Sequence, residues 1–223
     1  MLHATITTSA PPVIWSIGSE KTELVKRHQA RDVLFRQGDD VSSIYEIIEG
    51  VARVYKIFAD GRRQIMAFAY PGDLLGFAEN GSHRFDCDAL TDMRVRVIPR
   101  RSLLHAVRER PELGEKMLAQ ATNEISSMQD LSILLCRKTA LERLATFLVS
   151  LTERLADQRN GACALPMTRG DIADHLGLTI ETISRNFSKL RGRQIISLLG
   201  TSMFKVNDMP ALVQIADCED WSH

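Results

Sequence analysis

The sequence predicts an α+β protein: a strand-rich first half closed into a roll, one long helix, and a mainly helical last third that ends in a small hairpin. Three observations carry this. From Val33 to Pro99, Gly38, Gly50, Gly61 and Gly72 recur at intervals of 12, 11 and 11 residues, with β-forming runs between them; turns at that spacing indicate a sandwich or barrel-like roll. From Glu112 to Arg137 there is no proline, and apolar residues alternate at three and four positions, which is a helical seam. From Thr168 to Leu190 two short amphipathic segments flank Gly177. The expected organisation is a loose tail over 1–19, the roll over 20–110, the long helix over 111–137 and the last unit over 138–218.

In the first half the expected strands are Ser43–Ile48, Val51–Phe58 and Gln64–Tyr70, with a last strand from Met93 to Ile98 ending at Pro99, which cannot donate to a ladder. In the second strand Val54, Lys56 and Phe58 share one face, and Arg53, Tyr55 and Ile57 the other. Asp60-Gly61 is a hairpin signal because both residues tolerate positive φ. The stretches Leu34–Asp39, Tyr45–Gly50 and Pro71–Gly76 resemble the cyclic-nucleotide-binding β-roll. That resemblance implies a fold and need not carry its ligand. A cAMP-binding roll uses a Gly-Glu turn for the ribose and an Arg-Ser-Ala turn for the phosphate. Here Gly76–Ala89 holds no Arg-Ser pair, and Asp86 and Asp88 would repel a phosphate. The six histidines are scattered, which suits surface positions better than axial ligation of haem. No cofactor is expected.

In the middle, Ser102–Arg110 reads as a short helix, and Pro111 suits the first turn of the next. Leu118, Ala121, Ile125, Met128, Ser132 and Leu135 form an a/d stripe over about three heptads, the signature of a helix that pairs with a copy of itself. Leu131 and Leu134 offer a second apolar face for packing within the chain.

The last third opens with an amphipathic helix over Lys138–Asp157, followed by a loop containing Asn160-Gly161 and Pro166. Thr168, with Asp171 three residues on, is a capping signal; the helix it opens buries Ile172, Ala173 and Leu176, and Gly177 ends it by supplying a left-handed position. Thr179 caps the next helix, where Ile180, Ile183, Phe187 and Leu190 share one face and Glu181, Ser184, Arg185 and Ser188 the other. A small residue at the crossing, a glycine turn and a polar outer face define a helix-turn-helix. Asn186 departs from the usual apolar residue and is expected to meet solvent or a phosphate. Ile195–Val206 reads as two short strands about a glycine turn, a wing, and Asp208–Asp217 as a last short helix.

The outer face suits the edges of bases. Arg185 can donate twice to guanine O6 and N7, Glu181 can accept from cytosine N4, and Ser184 can bond a base edge or pack near a thymine methyl. Thr168, Thr179, Ser188, Lys189, Arg191 and Arg193 are placed for phosphates. The partner is therefore double-stranded DNA.

Composition sets outer bounds. Of 223 residues 44% are apolar and 25% charged, and 28 basic side chains balance 28 acidic ones. Disordered and low-complexity chains are excluded. Net neutrality argues against a strongly basic nucleic-acid binder, yet between Thr179 and Lys205 five basic residues face a single acidic one, Glu181. No apolar run reaches the ~18 residues of a membrane span, and the polar start, Met1–Pro12, is no secretory signal. A cytoplasmic, reducing location follows for Cys87, Cys136, Cys163 and Cys218, none of which forms a CxxC pair. Cys136 and Cys163 lie where oxidation would disturb DNA binding and are the candidate redox thiols. No phosphate-binding glycine loop, nucleophile elbow or HExxH motif points to an enzyme.

Roll, long helix and winged helix-turn-helix, in that order across about residues 20–215, resemble the CRP/FNR family of bacterial transcription regulators. Ile180-Glu181-Thr182-Ile183-Ser184-Arg185 resembles its FNR/FixK branch, which reads TTGAT…ATCAA half-sites. The cysteines of an iron–sulfur sensor have no counterpart: none precedes Cys87, and Arg96 stands where that sensor places its roll cysteine. The resemblance thus implies a FixK-like homodimeric activator on TTGAT-N4-ATCAA-like palindromes, controlling genes of oxygen limitation, nitrogen fixation or respiration, with RNA polymerase touched through the loop Glu79–Phe85. A regulator gated by a small molecule in the roll, a cyclic nucleotide or a haem-bound gas, is the alternative.

Overall fold

The computed structural model describes residues 24–78, 81–156 and 161–217. The expected tail, Glu79 and Asn80 of the proposed polymerase loop, Asn160 and Cys218 lie outside the described residues. The described residues form two compact units, one ending at Arg137 and one beginning at Lys138.

The first unit contains β1 (Leu24–His28), β2 (Val33–Phe35), β3 (Ser43–Glu49), β4 (Ala52–Ile57), β5 (Arg63–Ala69), β6 (Leu74–Leu75), β7 (Asp86–Ala89) and β8 (Met93–Pro99), followed by α1 (Arg100–Glu109) and α2 (Pro111–Arg137). The strands make two four-stranded antiparallel sheets, β1-β8-β3-β6 and β2-β7-β4-β5. Phe35, Ile47, Ala52, Ala69, Cys87, Ala89, Met93 and Val95 build one buried core in it. Four strands escaped the sequence reading: β1, β2, β6 and β7 are short or charged and lack a clean alternation.

The glycine spacing has a steric cause. At Gly50, with φ of +89°, an added Cβ would collide with the Asp92 carbonyl oxygen, so only glycine lets the turn after β3 pass under the loop before β8. The face assignment in β4 holds only up to a register shift against β5 between Val54 and Tyr55. Beyond that irregularity the simple two-residue alternation no longer describes the pair, and Phe58 lies past the strand end.

Among the described residues, two largely buried ion pairs sit in the sheets. Arg53 on β4 faces Asp88 on β7 in register, and its Nε and Nη2 reach the two carboxylate oxygens at 2.7 and 2.9 Å. Arg96 on β8 likewise faces Glu46 on β3, and Nη1 donates to Oε2. Asp86 accepts the Gln37 N–H at 3.1 Å. The acidic residues expected to repel a phosphate are thus engaged within the protein itself. His83 departs from the expected surface placement: it is buried and stacks on Phe35 at 3.9 Å and 11°, and burial holds its pKa below the usual histidine value.

Pro111 occupies the first position of α2, where its missing N–H costs nothing. At 27 residues the helix is about 40 Å long. Leu113 and Leu134 are its buried residues. Leu118, Ala121, Ile125, Met128 and Ser132 are exposed and Leu135 is half-buried; Leu118 is 70% exposed, Ile125 57% and Met128 56%. A line of large apolar side chains so open to water is unusual on a free helix.

The second unit contains α3 (Ala140–Leu155), β9 (Ala162–Ala164), α4 (Arg169–Leu176), α5 (Ile180–Gly192), β10 (Ile196–Leu198), β11 (Met203–Val206) and α6 (Met209–Ala216). Thr139 and Glu142 close a capping box on α3. The expected two-stranded wing is a three-stranded sheet, β10-β11-β9: part of the segment read as a loop before Pro166 pairs with β11, Cys163 opposite Phe204. Leu144, Leu148, Leu151, Ile172, Leu176, Phe187 and Phe204 are among the largest fully buried side chains. Among the described residues, no helix is long and apolar enough to cross a membrane.

Candidate nucleic-acid interface

Thr168 opens α4 through a complete capping box. Its hydroxyl accepts the Asp171 N–H at 3.1 Å and donates to Asp171 Oδ2 at 2.7 Å, while its own N–H donates to the same carboxylate at 3.0 Å. Both Thr168 donors are therefore committed to the cap, which weakens its expected role as a phosphate contact. Gly177 ends α4 at φ 64° and ψ 40°, and the next N–H, of Leu178, returns to the Ala173 carbonyl at 3.0 Å. The chain turns there and re-enters a helix at Thr179, whose Oγ1 accepts the Thr182 N–H at 3.2 Å. Arg143 on α3 anchors the turn from behind: its Nη1 donates to the Leu176 carbonyl at 3.0 Å and its Nε to the Lys138 carbonyl at 2.9 Å. Lys138 Nζ donates in turn to the Ala216 carbonyl at 2.8 Å, tying α6 to the start of α3.

Helix α5 sorts its residues by face. Ile183, Phe187 and Leu190 are buried, while Glu181, Ser184, Arg185, Ser188, Lys189, Arg191 and Arg193 are exposed. Arg185 Nη2 lies 3.4 Å from Thr182 Oγ1, a long contact that leaves most of the guanidinium fork free. Hydrogen bonds from its own backbone and from Thr179, together with the charge of Arg185, hold the Glu181 carboxyl below the usual glutamate range. A carboxylate acceptor and a guanidinium donor thus stand one turn apart beside Ser184. Lys189 and Arg191 occupy the last turn, where cations also complement the helix dipole.

Two residues on α5 differ from expectation. Ile180 was placed on the buried face, but it sits in the first turn and is 52% exposed. Asn186 was expected to meet solvent or a phosphate; it is 8% exposed, and its Nδ2 has no hydrogen-bond partner. An unsatisfied buried amide costs about 1–3 kcal/mol. Asn186→Leu, which keeps the branched four-heavy-atom side chain but is bulkier, should raise the thermal midpoint; a lower midpoint for it and for the smaller Asn186→Val alike would show that the amide is satisfied in solution.

One residue passed unnoticed in the sequence. Arg169, at the first position of α4, stacks its guanidinium over Phe187 of α5 at 3.2 Å from the ring centroid, and burial lowers its pKa. An arginine in a first helical turn reads as an ordinary surface residue, so no sequence signal announces a helix–helix clamp. The two candidate redox thiols separate. Cys136 is exposed. Cys163 is fully buried, directs its Sγ at the Leu151 carbonyl at 3.4 Å, and has its pKa pushed up to about 11. A shielded, protonated thiol is a poor nucleophile, so the redox expectation at Cys163 is withdrawn.

Two helices about a left-handed glycine, a polar cationic outer face and a strand hairpin immediately after make this unit a winged helix-turn-helix, the fold of a DNA-binding transcription regulator. Comparison with known proteins agrees. Residues 142–215 match a Crp-like helix-turn-helix domain and residues 25–110 a cyclic nucleotide-binding domain. The chain is 42% identical over 175 residues to the transcriptional activatory protein AadR of Rhodopseudomonas palustris, covering 78% of this chain and 73% of that one. It is 41% identical over 170 residues to the nitrogen fixation regulation protein FixK of Bradyrhizobium diazoefficiens, covering 75% and 72%. The structure of FixK2 from Bradyrhizobium japonicum superposes with a TM-score of 0.82 at 36% identity, over 86% of this chain and 96% of that chain. The chain belongs to the CRP/FNR family of transcription regulators, in its FixK-like branch. It is a DNA-binding transcriptional activator of that type, and the relatives it matches are regulators rather than enzymes.

Proposed function

We propose that the protein acts in the cytoplasm as a homodimer that binds TTGAT-N4-ATCAA-like palindromes and activates genes of oxygen limitation, nitrogen fixation or respiration. One observation carries the reading of DNA: Glu181, Ser184 and Arg185 share the exposed face at the start of α5, with Ser188, Lys189, Arg191 and Arg193 exposed behind them. In this reading the first three meet base edges, and the later residues take phosphates along with Thr179. The exposed stripe on α2 supports the dimer, because two such helices bury each other's apolar seam and present two recognition helices to successive major grooves. The described part of the expected polymerase loop, Gly81–Phe85, is the proposed contact for RNA polymerase.

The roll acts in this reading as scaffold rather than cyclic-nucleotide sensor. The support is that Asp88 lies in the segment where such a ligand's phosphate would bind, and is held by Arg53.

The test is a mobility-shift titration against a TTGAT palindrome and a scrambled duplex. Arg185→Ala should cost about 1–3 kcal/mol on the palindrome and relax the preference at a single guanine, whereas Lys189→Ala should weaken both duplexes alike and reduce the salt slope by about one. Equal losses on both duplexes for Arg185→Ala would remove its base-reading role. Tight binding by ligand-free protein separates this reading from a ligand-gated one.

A further inference from the structure

Thr182 is half-buried, one turn before Arg185 on α5, and its hydroxyl lies between the two charged groups of the recognition face. On one side Arg185 Nη2 donates to Thr182 Oγ1 at 3.4 Å. On the other, Thr182 Oγ1 and Thr179 Oγ1 are 3.0 Å apart, and geometry alone allows either hydroxyl to donate. Thr179 Oγ1 also accepts the Thr182 N–H at 3.2 Å, and the Thr179 side chain hydrogen-bonds the Glu181 carboxyl. The charged ends fix the direction of the chain. A guanidinium has hydrogens and no acceptor, and an ionised carboxylate has lone pairs and no hydrogen. Glu181 therefore takes the Thr179 hydrogen, Thr179 takes the Thr182 hydrogen, and Thr182 keeps its lone pairs for Arg185. The order is guanidinium, hydroxyl, hydroxyl, carboxylate, with no donor facing a donor.

We infer that Thr182 is a positioning residue for base reading: with Thr179 it joins Glu181 and Arg185 through a hydroxyl relay that sets acceptor and donor in place before DNA arrives. Thr182 has this role only if Glu181 and Arg185 read bases as proposed above. Each bond in such a chain polarises the next. An exposed arginine otherwise samples many rotamers, and ordering it on binding costs free energy. The Thr182 anchor removes part of that cost and leaves the other N–H groups of the fork for guanine O6 and N7. Glu181 is held at the far end of the same relay, so the pair reaches the groove with a fixed spacing. The Thr179 hydroxyl is committed to the relay as well, and a phosphate there is met by its backbone N–H. A hydroxyl that only touched a phosphate would add affinity on every duplex; one that orders Arg185 adds it only where the guanine is present.

The experiment is a mobility-shift titration of the intact protein on the TTGAT palindrome, on the same palindrome with the guanine replaced in both half-sites, and on a scrambled duplex. Thr182→Val removes the hydroxyl but keeps the β-branched shape and the backbone N–H that binds Thr179, so its melting curve should match the parent's. Thr182→Ala is a second deletion of the same hydroxyl. Both should bind the palindrome about 10-fold more weakly and the other two duplexes as the parent does, while Thr182→Ser restores the parent affinity. In an Arg185→Ala background Thr182→Val should cost nothing further, as expected of residues that act through one contact. Equal losses on all three duplexes would make Thr182 a backbone contact and overturn the assignment, as would parent-like binding by both deletions or an undiminished loss without Arg185. If Arg185→Ala weakens all duplexes alike, base reading itself falls and the relay with it, whereas a base-reading Arg185 beside silent Thr182 deletions removes the relay alone.

Discussion

Replacing Asp88 by alanine is expected to lower the thermal midpoint of the roll by about 6–20 °C. Asp88 is buried, with a side chain 9% exposed, and it meets an Arg53 side chain that is only 17% exposed. Removing the carboxylate strands a guanidinium between β4 and β7, where water reaches it poorly. Breaking such a pair costs about 3–5 kcal/mol, a large share of the roughly 5–15 kcal/mol that holds a typical domain. The loss measures an uncompensated charge rather than the worth of the pair. The double variant Arg53→Met with Asp88→Leu should therefore recover most of the stability. A midpoint for Asp88→Ala within about 1 °C of the parent, by circular dichroism, would show that solvent already screens the pair.

The second large effect concerns α2. Ile125→Glu should convert the protein from dimer to monomer at micromolar concentration and weaken binding to the palindrome by about 100-fold or more, because each recognition helix would then engage its half-site alone. Ile125 is 57% exposed within one chain, so the substitution leaves the monomer's own core untouched. In a parallel seam, however, each Glu would stand among apolar residues and opposite its own copy, which is both a desolvation and a like-charge cost. Sedimentation equilibrium reads the first expectation and a mobility shift the second. A variant that sediments as a dimer would move the interface away from this stripe. A monomer that binds the palindrome as tightly as the parent would remove the need for pairing.

Much of the architecture was legible because it is written in local chemistry. The capping box at Thr168 and Asp171, the left-handed Gly177 and the cap at Thr179 each act over three or four residues, and the structure reproduces them with hydrogen bonds of 2.7–3.2 Å. The helix break at Pro111 has the same local origin, whereas Gly50 is required by the distant Asp92 carbonyl against which its turn packs. The short strands were harder. β7 carries Asp86 and Asp88, which argue against a buried strand until Arg53 is seen across the ladder. β9 spans only Ala162–Ala164, too few residues for any period to register.

The recognition face shows the same division. Helical periodicity alone placed Glu181, Ser184 and Arg185 together on the outside. It misplaced Ile180, because a first-turn residue has no preceding turn to cover it. It also misjudged Asn186, because burial there is decided by what α5 packs against and not by the residue's own polarity. The net charge of zero followed the same rule: an average over 28 basic and 28 acidic residues hid a segment whose positive charges cluster.

The order of the elements, the turn that makes a helix-turn-helix and the outward face of α5 follow from neighbours along the chain, since caps, glycine conformations and the 3.6-residue period act locally. Which charges are paired and which thiol is shielded is settled by packing between distant segments. Such outcomes depend on groups far apart along the chain, such as Arg53 and Asp88, whose meeting no local pattern encodes.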